Sequence, residues 1–126
     1  MRWVGRFQDL IASDTHQRFL IGIPATWAKK ADETFRANDI MFVDCPVSGG
    51  PARAREGDLT LIASGEPACL DFAESILNAL AREVHVIKGG AGGGSMVKCV
   101  HQLLAGVHIC AAAEAMGKDD TGFVHK

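Results

Sequence analysis

The chain has 126 residues, with 13 Lys and Arg against 15 Asp and Glu for a formal charge of −2. That length fits one domain with a real core, and the near-neutral balance excludes binding to nucleic acid or to an anionic membrane through net charge. Cys45, Cys69, Cys99 and Cys110 form no C-x-x-C pair and three of them sit in apolar runs, which points to reduced, packed thiols in the cytoplasm rather than to a disulfide framework or a zinc site.

The N-terminal stretch MRWVGRFQDLIASD is amphipathic, and its Arg2 and Arg6 suit a transit peptide. Asp9 and Asp14 argue against one, because such peptides are poor in acids. Residues 1–20 show no clear period. Phe19 to Pro24, FLIGIP, reads as a short buried strand closed by proline. A helix is expected from Thr26, which can cap it, through TWAKKADETFRAND, with Trp27 and Phe35 as apolar anchors. IMFVDCPV, Ile40 to Val47, is a buried strand by its β-branched and aromatic content. It ends on Ser48-Gly49-Gly50, a turn, and a solvated loop carrying Arg53 and Arg55 leads to a second strand at Asp58 to Gly65.

EPACLDFAESILNALA follows as a helix with Pro67 in its first turn and an apolar face that includes Leu70, Ala73 and Leu77. Glu83 to Lys88 is a further strand, and Gly89 to Gly94 separates it from a long helix over about Ser95 to Met116. Strands interleaved with helices predict an α/β fold with a partly parallel sheet. The last helix is apolar on nearly every face, which predicts burial all round. It also carries Lys98, His101, Gln102, His108 and Glu114, too many polar groups for a membrane span without high cost.

The glycine run invites a phosphate-loop reading, since helix N-termini attract anions. It matches neither G-x-x-x-x-G-K-[ST] nor G-x-G-x-x-G, because Ser95 and Met96 fall at the deciding positions. The plainer reading is a hinge with close backbone packing where strand passes into helix. On the long helix, Lys98, His101 and Gln102 share one face, so Lys98 can touch both others. Two readings of Lys98 stand: a general acid or base in apolar surroundings, or a side chain snorkelling to solvent. His101 and His108 lack a third ligand on this helix, so no metal is expected.

Two segments, FVDCPVSGGPARAREGDLTLIASG and then GAGGGSMVKCVHQLLAGVHICAAAEAMG, together resemble the β-hydroxyacid dehydrogenase family, in its 3-hydroxyisobutyrate and 6-phosphogluconate dehydrogenase-like sense and closest to the L-threonate dehydrogenase branch. The resemblance implies a fold made of the C-terminal portion of a Rossmann-type NAD(P)-binding domain plus the first long helix of an all-α domain. Its divisions are an unmatched segment 1–20, the partial Rossmann part 21–90 and the helical start 91–126. It implies NAD or NADP as cofactor and a small hydroxyacid such as L-threonate as substrate. Ser48, Gly49 and Gly50 match the family's substrate-binding turn, and Lys98 matches the lysine that exchanges a proton with the substrate oxygen. Gln102 stands where many members carry an asparagine, and Ile21-Gly22 where they carry serine-threonine.

The family's N-terminal G-x-G-x-x-G turn is not found in this sequence. The expectation is therefore an incomplete copy, an oxidoreductase fragment with little activity alone and no residue assigned to the cofactor. The alternative from another class is a noncatalytic interaction module, pairing subunits through the long apolar helix. A third is a nucleotide or phosphate binder using the glycine run with Arg53 to Arg55.

Overall fold

The structure, a computed structural model, describes the backbone of residues 17–20 and all of residues 23–117. The amphipathic N-terminal stretch and Ile21-Gly22 lie outside the described residues. Five strands, β1 (Gln17–Leu20), β2 (Met41–Asp44), β3 (Val47–Ser48), β4 (Thr60–Gly65) and β5 (Glu83–Val86), alternate with α1 (Ala25–Arg36), α2 (Gly50–Arg55), α3 (Pro67–Leu80) and α4 (Gly93–Gly117).

β1 pairs parallel with β2 and β4 pairs parallel with β5, each pair joined by a crossover helix, α1 or α3. Between them β2 and β3 run antiparallel to β4. Asp44 faces Ser64 and Val47 faces Leu61, and the register is continuous across the gap. The Ile62 amide donates to the Pro46 carbonyl at 3.0 Å. β2 and β3 are thus one strand, interrupted where Pro46 has no N–H to give the ladder. The sequence reading of 40–47 as a single strand agrees with this.

Period-two alternation along these strands sorts the core into two layers. Val43, Cys45, Leu61 and Ala63 pack with Ala73, Leu77 and Ala81 of the α3 segment. Phe42 points the other way, into a cluster with Ala31, Phe35 and Ala91, and the rings of Phe35 and Phe42 stack with centroids 5.6 Å apart. Helices on both sheet faces let each face bury its apolar side chains. Burial, with the neighbouring Asp44 charge as the lesser cause, pushes the Cys45 thiol up to about 11. An unfolded thiol ionises near 9.0, so Cys45 contributes stability that is complete below that pH and lost as pH rises through the folded value.

Four expectations need correction. The first strand lies at Gln17–Leu20 rather than running to Pro24. Pro24 instead occupies the N-cap of α1, and its carbonyl accepts from Trp27 and Ala28 at 2.9 and 3.0 Å, so the helix starts before Thr26 and without a side-chain cap. The segment after the glycines is a short helix, not a loop: Gly49 turns with φ +133° and Pro51 opens α2. The last helix begins at Gly93, not Ser95, and it is not buried: Leu103 is 67 % and Ile109 69 % exposed. Its apolar character reflects surface that the described residues do not cover. By length and mean hydropathy, 1.4 over its most apolar window, α4 is also long and apolar enough to cross a membrane.

Candidate functional site

The Ser48-Gly49-Gly50 turn leaves the sheet edge at β3 and enters α2. Gly49 and Gly50 hold φ at +133° and +73°, a region that L-residues with side chains rarely adopt. A Cβ at Gly49 would also press Leu59 Cδ2 at 3.0 Å and Arg53 Cβ at 3.2 Å. Glycine is required there on two counts, and both backbone amides lie beside a half-buried serine hydroxyl at an exposed turn.

α4 is seated on β4 and on Pro46, two residues before that turn. Gly94 packs so closely that a Cβ would overlap the Ile62 carbonyl oxygen and lie 3.2 Å from Pro46 Cδ. Gly92, with φ +91°, leaves only 2.8 Å between such an atom and the Ala25 carbonyl oxygen. From Gly92 to Gly94 the run thus packs closely, while Gly89 and Gly90 have nothing within 4 Å of a built Cβ and serve the chain by their φ of +110° and +80°. Lys98 lies one helical turn beyond Gly94 and on the same face.

Lys98 is half-buried, and its Nζ lies 3.5 Å from His101 Nδ1, at the outer edge of hydrogen bonding. No hydrogen bond between Lys98 and Gln102 forms among the described residues. Gln102 is exposed and lines a shallow groove along α4 with Gly106, Cys110 and Glu114. The predicted cluster of three thus contracts to the pair Lys98 and His101.

The group that sequence reasoning missed is Asp44. Its side chain is wholly buried, yet each oxygen is satisfied. Oδ2 accepts from Ser64 Oγ at 3.0 Å, the Gly92 amide at 3.0 Å and the Ser95 amide at 2.9 Å, while Oδ1 accepts from Ser95 Oγ at 2.6 Å. Ser64 Oγ in turn accepts from the Gly94 amide at 2.8 Å. Strand pairing explains the meeting: Asp44 and Ser64 are directly opposed in the antiparallel ladder, so their side chains leave the same face. A signal was present in IMFVDCPV, where an acid at an alternate, inward position of an apolar strand demands buried donors.

These contacts account for every amide in the first turn of α4. The Gly93 amide donates to Gly90 at 3.4 Å, those of Gly94 and Ser95 to Ser64 and Asp44, and that of Met96 to Gly92 at 3.0 Å. A helix start normally leaves such donors open. Here none of the amides from 92 to 96 is available to a phosphate, so the start of α4 offers no open donors to an anion. The arginines proposed beside it are also placed elsewhere: Arg53 lies on α2, its Nε 3.8 Å from Asp58. Among the described residues no group of three or more His, Cys, Asp or Glu side chains is placed to hold a metal ion.

Comparison with known proteins converges on one family. The profile of the NAD binding domain of 6-phosphogluconate dehydrogenase matches residues 21–90. L-threonate dehydrogenase of Cupriavidus necator is 43 % identical over 94 residues, covering 75 % of this chain and 32 % of that protein. Among solved structures, 3-hydroxyisobutyrate dehydrogenase from Salmonella typhimurium superposes with a TM-score of 0.75 at 38 % identity, over 84 % of this chain and 38 % of that one. The 3-hydroxyisobutyrate dehydrogenase of Mycobacterium tuberculosis, solved with L-serine, gives a TM-score of 0.81 at 26 % identity, over 95 % of this chain and 43 % of that one. The α/β, Rossmann-type expectation agrees with these neighbours. The chain spans about a third of the length of the first curated relatives, 32 % and 31 %.

Proposed function

This chain belongs to the family defined by the NAD binding domain of 6-phosphogluconate dehydrogenase, and from that premise we propose that it serves the dehydrogenation of a small hydroxyacid of the L-threonate type. Ser48 and the Gly49 and Gly50 amides hold the substrate's carboxylate and hydroxyl. Lys98 exchanges the proton of the reacting oxygen. A nicotinamide dinucleotide, when bound, supplies or accepts the hydride, and none of this chain's residues is assigned to its phosphates.

The observation that carries this reading is the seat of Gly94 on Pro46. Pro46 is two residues before Ser48, and Lys98 is one turn after Gly94. A turn advances about 6 Å over four residues, so Lys98 and Ser48 each lie within a few residues of that one point of packing. An ammonium near an oxygen that gains negative charge both stabilises that charge and supplies a proton. His101, at 3.5 Å, can accept from the ammonium when its ring is neutral with the proton on Nε2. The four cysteines are unpaired, in keeping with a reducing, cytoplasmic setting.

Calorimetric titration of the chain with L-threonate tests the assignment. Ser48→Ala and Lys98→Ala are each expected to weaken binding about tenfold or more, the scale of one lost hydrogen bond to a charged group. Isotherms indistinguishable from the unsubstituted chain would sink the proposal.

A second reading is favoured by the exposed apolar length of α4: the helix pairs with another copy of the chain. The expected result by light scattering is twice the chain mass, returning to the chain mass in Leu103→Lys. A single-chain mass at all concentrations would exclude it.

A further inference from the structure

We propose that Asp44 is a positioning residue for the Lys98 site, its carboxylate clamping the first turn of α4 to the end of β2 so that the lysine and the Ser48-Gly49-Gly50 turn are held in one fixed relation. The proposal rests on the roles read above for Lys98 and Ser48. Its physical basis stands on its own.

The clamp joins both halves of the candidate site at their roots. Asp44 lies four residues before Ser48 on the same interrupted strand, and Ser95 lies three residues before Lys98 on α4. Between these points the carboxylate makes two bonds to Ser95, one to its amide and one to its hydroxyl, plus a third to the Gly92 amide. Ser64 extends the clamp to the Gly94 amide, so β4 holds the same helical turn. Bonds to an ionised acceptor are stronger and more directional than neutral ones, and the negative charge sits at the positive end of a long helix. The three residues of the clamp are buried, with Asp44 and Ser64 at 0 % and Ser95 at 5 % exposure, so water does not compete for the bonds.

The glycines explain why the device needs a charge. Gly93 and Gly94 let the helix start approach β4, and Gly92 lets it approach α1, but the three glycines also make that start intrinsically floppy. Close packing alone fixes the depth of the helix. The directional bonds of Asp44 fix its rotation about its own axis, and rotation decides where a side chain one turn further along points. A helix rotated by one residue would move Lys98 about 100° around the axis.

The test compares Ser95→Ala and Asp44→Asn with the unsubstituted 126-residue chain. Three readings are taken: amide hydrogen exchange, the side-chain Cε chemical shift of Lys98, and L-threonate affinity. Ser95→Ala removes the hydroxyl bond but keeps the amide bond, so the chain stays folded even if Asp44→Asn does not. The expected result is exchange about tenfold faster at residues 92–98, with core amides such as Ala63 and Leu77 unchanged, a shifted Lys98 Cε resonance, and weakened L-threonate binding. Unchanged exchange at 92–98, or acceleration spread evenly through the core with Lys98 unmoved, would overturn the clamp as a positioning device. If the unsubstituted chain binds no L-threonate, the functional reading fails, while the exchange and Lys98 measurements still decide the clamp.

Discussion

Replacing Gly94 with alanine is expected to cost about 3 kcal/mol or more of folding stability, while the same change at Gly106 is expected to be neutral or stabilising by up to about 1 kcal/mol. Both glycines lie inside α4, where alanine is favoured by about 1 kcal/mol on intrinsic grounds. The surroundings decide the sign. Nothing lies within 4 Å of a Cβ built at Gly106, whereas at Gly94 it would overlap the Ile62 carbonyl oxygen and crowd Pro46. A flexible side chain could swing away, but a carbonyl in the central strand cannot move without breaking the ladder that holds β4. The helix would have to lift off the sheet, taking the Asp44 bonds with it. Urea denaturation of the two variants checks this directly, and equal midpoints would contradict the seating of α4 on the sheet.

Asp44→Ala is expected to lose about 3 kcal/mol, with Asp44→Asn losing less. Alanine strands four donors in a dry site, the amides of Gly92 and Ser95 and the hydroxyls of Ser64 and Ser95. The hydroxyls can turn to other acceptors, but the two amides are backbone groups fixed by the Gly92 turn and by the helix, and each buried donor left unmade costs about 1–3 kcal/mol. Asparagine keeps one oxygen at the crowded position and relieves the burial of a charge, which offsets part of the loss. Denaturant midpoints should therefore rank the unsubstituted chain above Asp44→Asn and Asp44→Ala last. The reverse order for the two variants would mean that the desolvated charge costs more than its bonds return.

Both effects concern the join between α4 and the sheet, and there the sequence and the structure divide. The long helix was legible from its apolar content, but its start was displaced by two residues, because Gly93 and Gly94 have low helix propensity and no local capping side chain. Ser64 accepts from the Gly94 amide and Asp44 from those of Gly92 and Ser95 on either side, which no local pattern announces. The short helix α2 was hidden for the opposite reason: glycines and a proline signal a turn, and here the turn leads straight into a helix whose first turn accommodates Pro51. Gln102 looked like a partner of Lys98 from spacing alone, yet spacing sets only which residues share a face, and the side chain lies along the exposed groove instead.

By itself the sequence determined the order of the strands and main helices, the glycine turn after Ser48, the lysine on the long helix and the family to which they point. These features follow from local causes: strand and helix periods, the φ that only glycine adopts freely, and short motifs read in order. Only the tertiary structure decided that Asp44 meets Ser64 and Ser95, partners 20 and 51 residues away, and that α4 stands exposed where apolarity predicted burial. The physical reason is the same in both cases. Which donors surround a buried carboxylate, and what covers an apolar helix, are set by strand register and by packing between distant segments, and neither is written in the spacing of neighbouring residues.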